Sequence, residues 1–190
     1  MKNIFIAYFF ILFELSPEFG ASSIELFPKW VGYLFLVKAF KELANKSETF
    51  KKNIMLTEAM VVVDGAVWLI DIFLPGALVV IQTPMKFLLR LFYYSSTYNV
   101  MKGIKEIEEY HHADIGAKKI NTAWWFFFGT KLSGIIASVN VISLLIVSLL
   151  HLVACIYHLV VLNKTRRAYE GLPQTVEKKS MKERAMIQSE

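Results

Sequence analysis

MVVVDGAVWLIDIFLPG, residues 60 to 76, decides how this chain must be read. Its Val, Ile, Leu, Phe and Trp side chains belong in hydrocarbon, and Asp64 and Asp71 do not. If the stretch is a membrane-crossing helix, both carboxylates must be tolerated there. Residues seven apart lie within about 20° of each other around a helix axis, so the two acids share a stripe that Thr57 continues. The Leu, Ile, Val and Phe residues between Ile54 and Phe73 each favour insertion by roughly 0.3–0.6 kcal/mol. A central aspartate opposes it by about 3 kcal/mol, and one near the helix end by less. The balance permits insertion, and Pro75–Gly76 closes the helix.

The rest of the chain agrees. Of its 190 residues 55% are apolar and 19% charged, with a mean hydropathy of +0.45. A soluble domain runs nearer about 25% charged. The apolar excess comes in long blocks, which points to an all-α polytopic membrane bundle of about six helices over residues 1–170, in contact with the lipid bilayer. Residues 171–190 are expected to form a polar, disordered cytoplasmic tail. The net charge of +5 flanks the apolar blocks instead of forming an isolated patch, so nucleic acid is not the expected partner. The single Cys155 excludes an intrachain disulfide.

Six segments fit: Lys2 to about Glu14, Pro28 to about Ala44, Ile54 to Phe73, and about Ala77 to Tyr98 with a polar extension through IKEIEEYHHADIG. Two more divide Thr122 to Leu162 at a turn near Ser138–Asn140. The first is short, so residues 2–14 and the second segment also fit a shallow re-entrant hairpin. An A-x-S site at Ala21–Ser23 raises a cleaved signal peptide as an alternative, which Glu14 and Pro17 argue against. With both termini inside, seventeen lysines and arginines fall in the inner segments against Lys29 alone outside. The positive-inside rule then places the N- and C-termini in the cytoplasm and the chain in the cell membrane.

PKWVGYLFLVKAFKELANKSETFKK, IEEYHHADI and LNKTRRAYE resemble a group of small multi-pass membrane proteins of Gram-positive bacteria. The resemblance covers the chain to about Glu170. It implies the membrane architecture and no activity. Lys29 stands where the P-x-x-x-G-Y motif of that group often carries an acid, so no role follows for that position.

Two polar stripes are the candidate sites. On the fourth segment Gln82, Lys86, Arg90, Tyr93 and Thr97 share a face. A hairpin turning at Pro75–Gly76 sets Lys86 at the depth of Asp64 and Arg90 one turn further in. That geometry reads first as an ion pair fixing helix packing, and second as a polar site or ion pathway. On the sixth segment Asn140, Ser143, Ser148, His151, Cys155 and His158 average 3.6 residues apart. They read first as a helix–helix contact and less readily as a proton relay or as ligands of a metal or haem. No other span supplies His or Cys, so neither a cofactor nor a metal site is expected. EIEEYHHADIG offers His and Glu at helical spacings, but without a distant third ligand a solvated helix face fits better. Its apolar line, Val100, Ile104 and Ile107, suits the membrane surface or another inner segment.

No phosphate loop, nucleophile elbow or paired-carboxylate motif identifies a reaction, and the chain is not expected to be an enzyme. The leading expectation is transport of a small molecule or ion, or a substrate-binding transporter subunit. Six spans with both ends inside match in size and topology the substrate-capturing subunits of energy-coupling-factor transporters, an analogy of architecture alone. The alternative is a non-catalytic partner or assembly protein beside other membrane subunits, and the third an intramembrane metal- or haem-dependent enzyme.

Overall fold

Ser47 shows why the helices outrun the apolar blocks. Its backbone is extended (φ −146°, ψ 118°) and its Oγ accepts the Phe50 N–H at 3.1 Å, so it caps a helix that begins at Glu48. That is six residues before the apolar run at Ile54. The computed structural model describes residues 1–12, 18–19, 22–23, 28–74, 79–137 and 141–172. Among them are six helices: α1 (Lys2–Leu12), α2 (Lys29–Leu43), α3 (Glu48–Phe73), α4 (Val79–His111), α5 (Ala117–Ala137) and α6 (Val141–Glu170). The class is all-α; the other regular element is a two-residue antiparallel pairing of Glu18–Phe19 with Ser22–Ser23. The turns expected at Pro75–Gly76 and Ser138–Asn140, and the tail from 173, lie outside the described residues.

Each helix packs on the next, and α6 returns to α1, closing a ring. The start of α1, the end of α6 and two turns gather at one end of this ring. Lys46 Nζ donates to Tyr169 Oη at 2.9 Å, Asn3 Nδ2 donates to Glu42 at 2.8 Å, and the Arg166 guanidinium lies 5.2 Å from the Phe5 ring centre. The α4–α5 turn is made by His112, which adopts the left-handed conformation (φ 49°), and Gly116 (φ 96°). The first breaks α4 and the second starts α5.

The core fills this end. Met60 is the last buried residue of α3, Ser96 the first among the described side chains of α4, Thr130 the last described on α5, and Ala154 the first on α6. Beyond these positions the described side chains of α3–α6 are half-buried or exposed. Two glycines allow the close approach. A Cβ on Gly103 of α4 would meet the Phe50 ring carbon Cε1 at 2.1 Å, and one on Gly32 of α2 would meet the Ala7 carbonyl at 2.8 Å. Phe50 in turn stacks on Phe40, with centroids 4.7 Å apart.

The polar extension of α4 keeps a solvated face, with Lys102, Lys105 and Glu109 exposed, and buries the opposite one. Val100, Ile104 and Ile107 are at most 1% exposed, in the centre of the core. Of the two contacts their narrow line allowed, another inner segment is the one made. α4 runs unbroken for 33 residues, about 50 Å, and among its described side chains the buried ones lie in the polar half.

By length and composition α6 alone among the described helices is long and apolar enough to cross a membrane, with a mean hydropathy of 2.5 over its best window. α3 carries Glu58, Asp64 and Asp71 within its apolar stretch.

Candidate functional site

Four helices meet around Thr97 of α4. The Thr97 hydroxyl donates to the Tyr94 carbonyl at 3.0 Å, as a mid-helix threonine does. Its remaining lone pair accepts Trp124 Nε1–H of α5 at 3.1 Å. The Thr97 carbonyl accepts the Tyr8 hydroxyl of α1 at 3.2 Å. Tyr8 stacks on His158 of α6, with centroids 5.0 Å apart and planes 11° apart. Phe127 of α5 covers His158 from a second direction at 6.1 Å. Thr97, Tyr8 and His158 are each at most 2% exposed.

His158 is the least satisfied group here. Among the described residues its Nδ1 is buried without a hydrogen-bond partner, and so is Ser96 Oγ, next to Thr97 on α4. A buried polar atom left unpaired costs about 1–3 kcal/mol. Such a ring nitrogen can exchange a proton or a hydrogen bond with a small polar guest.

Thr130, His151 and Cys155 form a second cluster. The Thr130 hydroxyl lies 2.8 Å from the Phe127 carbonyl and 3.0 Å from His151 Nδ1. When its one proton goes to the carbonyl it accepts from Nδ1–H, and that tautomer satisfies both contacts at once. His151 Nε2 is then the acceptor that faces the buried Cys155 Sγ at 3.6 Å. Phe127 lies between the two histidines, 5.1 Å from the His151 ring. Among the described residues no three His, Cys, Asp or Glu side chains converge as a metal site would require.

The chain matches no known protein family, no curated protein and no solved structure. Its own residues are therefore the whole basis for a function.

The six-residue stripe expected on α6 divides. His151 is half-buried, and Cys155 and His158 are buried, but Ser143 and Ser148 are exposed; Asn140 lies outside the described residues. Periodicity put all six on one side of the helix, but a side becomes interior only where a neighbour covers it. In the second stripe Thr97 is buried, Tyr93 half-buried and Arg90 exposed. The side chains of Gln82 and Lys86 lie outside the described residues, and with them the expected pairing of Lys86 with Asp64. Asp64 and Asp71 are both half-buried on α3, and Asp64 is engaged with another group.

Sequence reasoning missed Glu106, and it read Glu108 as part of a solvated face and not as a cap. The Glu106 carboxylate accepts Ser47 Oγ at 2.7 Å, the Thr49 N–H at 2.9 Å and the Thr49 hydroxyl. Burial by itself raises the pKa of this carboxyl. Hydrogen bonds from Thr49 and Ser47 and the charge of Lys102 outweigh it, leaving the group below its ordinary value. Glu108 Oε2 accepts three backbone N–H groups, from Ile115, Gly116 and Ala117, at 3.0, 3.0 and 2.9 Å. The available signal was Ser47 itself: it reads as an N-cap, but Phe50 occupies the position where a capping box would supply an acid.

Proposed function

We propose that this chain is a multi-pass membrane protein with both termini in the cytoplasm. Its interior handles a small polar molecule or an ion, as a transporter or as the substrate-binding subunit of one. The observation that carries the membrane reading is apolar exposure. Between Val141 and Val160, α6 exposes Val141, Ile142, Leu144, Leu145, Ile146, Leu149, Leu150, Leu152, Val153, Ile156, Tyr157 and Val160. Further along the ring α3 exposes Val62, Leu69, Ile72 and Phe73, and α4 exposes Leu88, Leu91 and Phe92. A water-soluble monomer rarely exposes a contiguous apolar patch beyond a few hundred Å². Lipid covers such a surface without penalty. The motifs resembling the Gram-positive group support the same reading.

The orientation rests on the gathered end, which carries Lys41, Lys46, Lys51, Lys52, Lys102, Lys105, Lys118, Lys119, Arg166 and Arg167. The positive-inside rule assigns that end to the cytoplasm. The transport reading rests on His158: a buried ring nitrogen with no partner among the described residues, amid groups from four helices, is what a polar guest would meet.

Cysteine labelling tests the topology in a Cys155→Ala background, which removes the one native thiol. Ser22→Cys should react with an impermeant maleimide on intact cells, and Lys51→Cys only after permeabilisation. The reverse pattern would overturn the orientation. For the interior, native mass spectrometry from lipid nanodiscs should show a bound small molecule or ion that His158→Phe loses. Identical spectra for both proteins would remove the support that His158 lends to transport.

The second reading, a non-catalytic partner of another membrane subunit, is favoured by one feature. Residues 141–146 of α6 are exposed all round, a surface that lipid or a neighbouring helix would cover equally well. A second polypeptide in the same spectra would decide for it.

A further inference from the structure

An open groove of about 670 Å³ runs between α4 and α5 at the basic end. Its walls are built alike. On α4, Tyr98 is followed seven residues later by Lys105, with Lys102 between; on α5, Lys118 precedes Trp125 by seven residues. Seven residues are about 10 Å of helix. Because the two helices run antiparallel, both aromatic rings lie at the end of the groove away from the α4–α5 turn, and the ammonium groups toward it. Tyr98 and Trp125 are 43% and 56% exposed, so these are available surfaces.

The groove lining counts three lysines against Glu106, Glu108 and Glu109; the acids keep their charge, with Lys102 acting on Glu106, but each already has its own partners. Glu106 is spent on Ser47 and Thr49, and Glu108 on the first N–H groups of α5. Glu109 lies 3.6 Å from Lys105. Lys102 and Lys118 form no ion pair among the described residues and stand on opposite walls. Lys102, about one turn from exposed Tyr98, and Lys118, about two turns from exposed Trp125, match the layering of a membrane boundary, with aromatic rings at the headgroup level and cations just beyond it.

We propose that this groove binds the phosphate headgroup of an anionic phospholipid of the cytoplasmic leaflet, with Lys102 and Lys118 facing the phosphate and Tyr98 and Trp125 the glycerol esters and first acyl carbons. The proposal rests on the membrane reading above and adds a ligand class to it. A free phosphate would share the cation contacts but leave the aromatic end unfilled.

The test is native mass spectrometry of the full chain reconstituted in nanodiscs of mixed phosphatidylglycerol and phosphatidylcholine, with bound lipids counted after release. The wild type should retain phosphatidylglycerol about tenfold or more over phosphatidylcholine, since a surface lysine contributes roughly fivefold. Lys102→Gln/Lys118→Gln should bring the ratio near parity. Lys51→Gln/Lys52→Gln removes the same charge from the same end, outside the groove, and should leave the preference in place. An equal fall in both doublets would mean general surface charge and overturn the site. If the groove doublet fails to fold, Lys102→Gln and Lys118→Gln are read singly, each with a loss of about fivefold expected. Complete displacement of the lipid by millimolar inorganic phosphate would overturn lipid as the occupant. Reconstitution without lipid preference defeats the groove alone. Failure to enter nanodiscs of either lipid defeats the membrane reading, and the groove proposal with it.

Discussion

Glu106 and Glu108 stand two residues apart on α4 and cap the starts of two different helices, α3 and α5. One short segment thereby sets the positions of three helices. The N-terminus of a helix presents unpaired N–H groups and a partial positive charge, and a carboxylate answers both.

Replacing either acid should therefore loosen the basic end as a unit. Hydrogen bonds to a charged group contribute about 1.5–3 kcal/mol. We expect Glu106→Ala and Glu108→Ala each to destabilise by about 2 kcal/mol in a detergent unfolding assay, and Glu109→Ala, whose carboxylate is exposed, by under about 0.5 kcal/mol. Equal losses at Glu108 and Glu109 would contradict the capping role.

Acid should act through Glu106. Its folded-state pKa is lowered, so its stabilisation is complete above the ordinary carboxylate value and is lost as pH falls through the lowered one. The melting temperature of the wild type should drop across that range. Glu106→Gln should start lower and fall less steeply. A parallel pair of pH profiles would assign the acid sensitivity elsewhere.

Gly103 has a different role, since its missing side chain admits the Phe50 ring. Gly103→Ala puts a carbon 2.1 Å from Phe50 Cε1, and overpacking of this kind costs about 1–3 kcal/mol. Combining it with Phe50→Leu should recover part of that loss relative to the sum of the two single changes. Strict additivity in the double-mutant cycle would show that the two positions do not share the contact.

Thr130 favours the Nδ1–H tautomer of His151. Thr130→Val removes the acceptor from Nδ1–H and should cost about 1–3 kcal/mol. Thr130→Val/His151→Leu should cost less than the two single changes together, because no ring N–H is then stranded. Cys155 reactivity gives an independent readout. With the wild-type tautomer held, Nε2 faces the thiol, so Thr130→Val should change the rate at which a membrane-permeant maleimide labels Cys155. An unchanged rate would detach Thr130 from the pair.

The helices themselves were legible in the sequence. Apolar blocks broken by Glu14–Pro28, by Pro75–Gly76, by the two lysine-rich stretches and by the length limit on Thr122 to Leu162 separate the same six segments that the structure holds. Their extent was not legible. Ser47 and His112 set the actual ends of α3 and α4 through capping and a left-handed turn, features that hydropathy does not register. How deeply the other face of the EIEEYHHADIG segment is buried was not legible for a related reason. A narrow apolar line such as Val100, Ile104 and Ile107 counts for little until two helices approach closely enough to bury it, and Gly103, set within that line, permits the approach. For the polar stripe of α6, spacing determined which residues share a face. Only the neighbours α1 and α5 decided that the face is interior at His151, Cys155 and His158 and exposed at Ser143 and Ser148. Periodicity is a property of one helix, whereas burial and hydrogen-bond partners belong to pairs of helices distant in the chain.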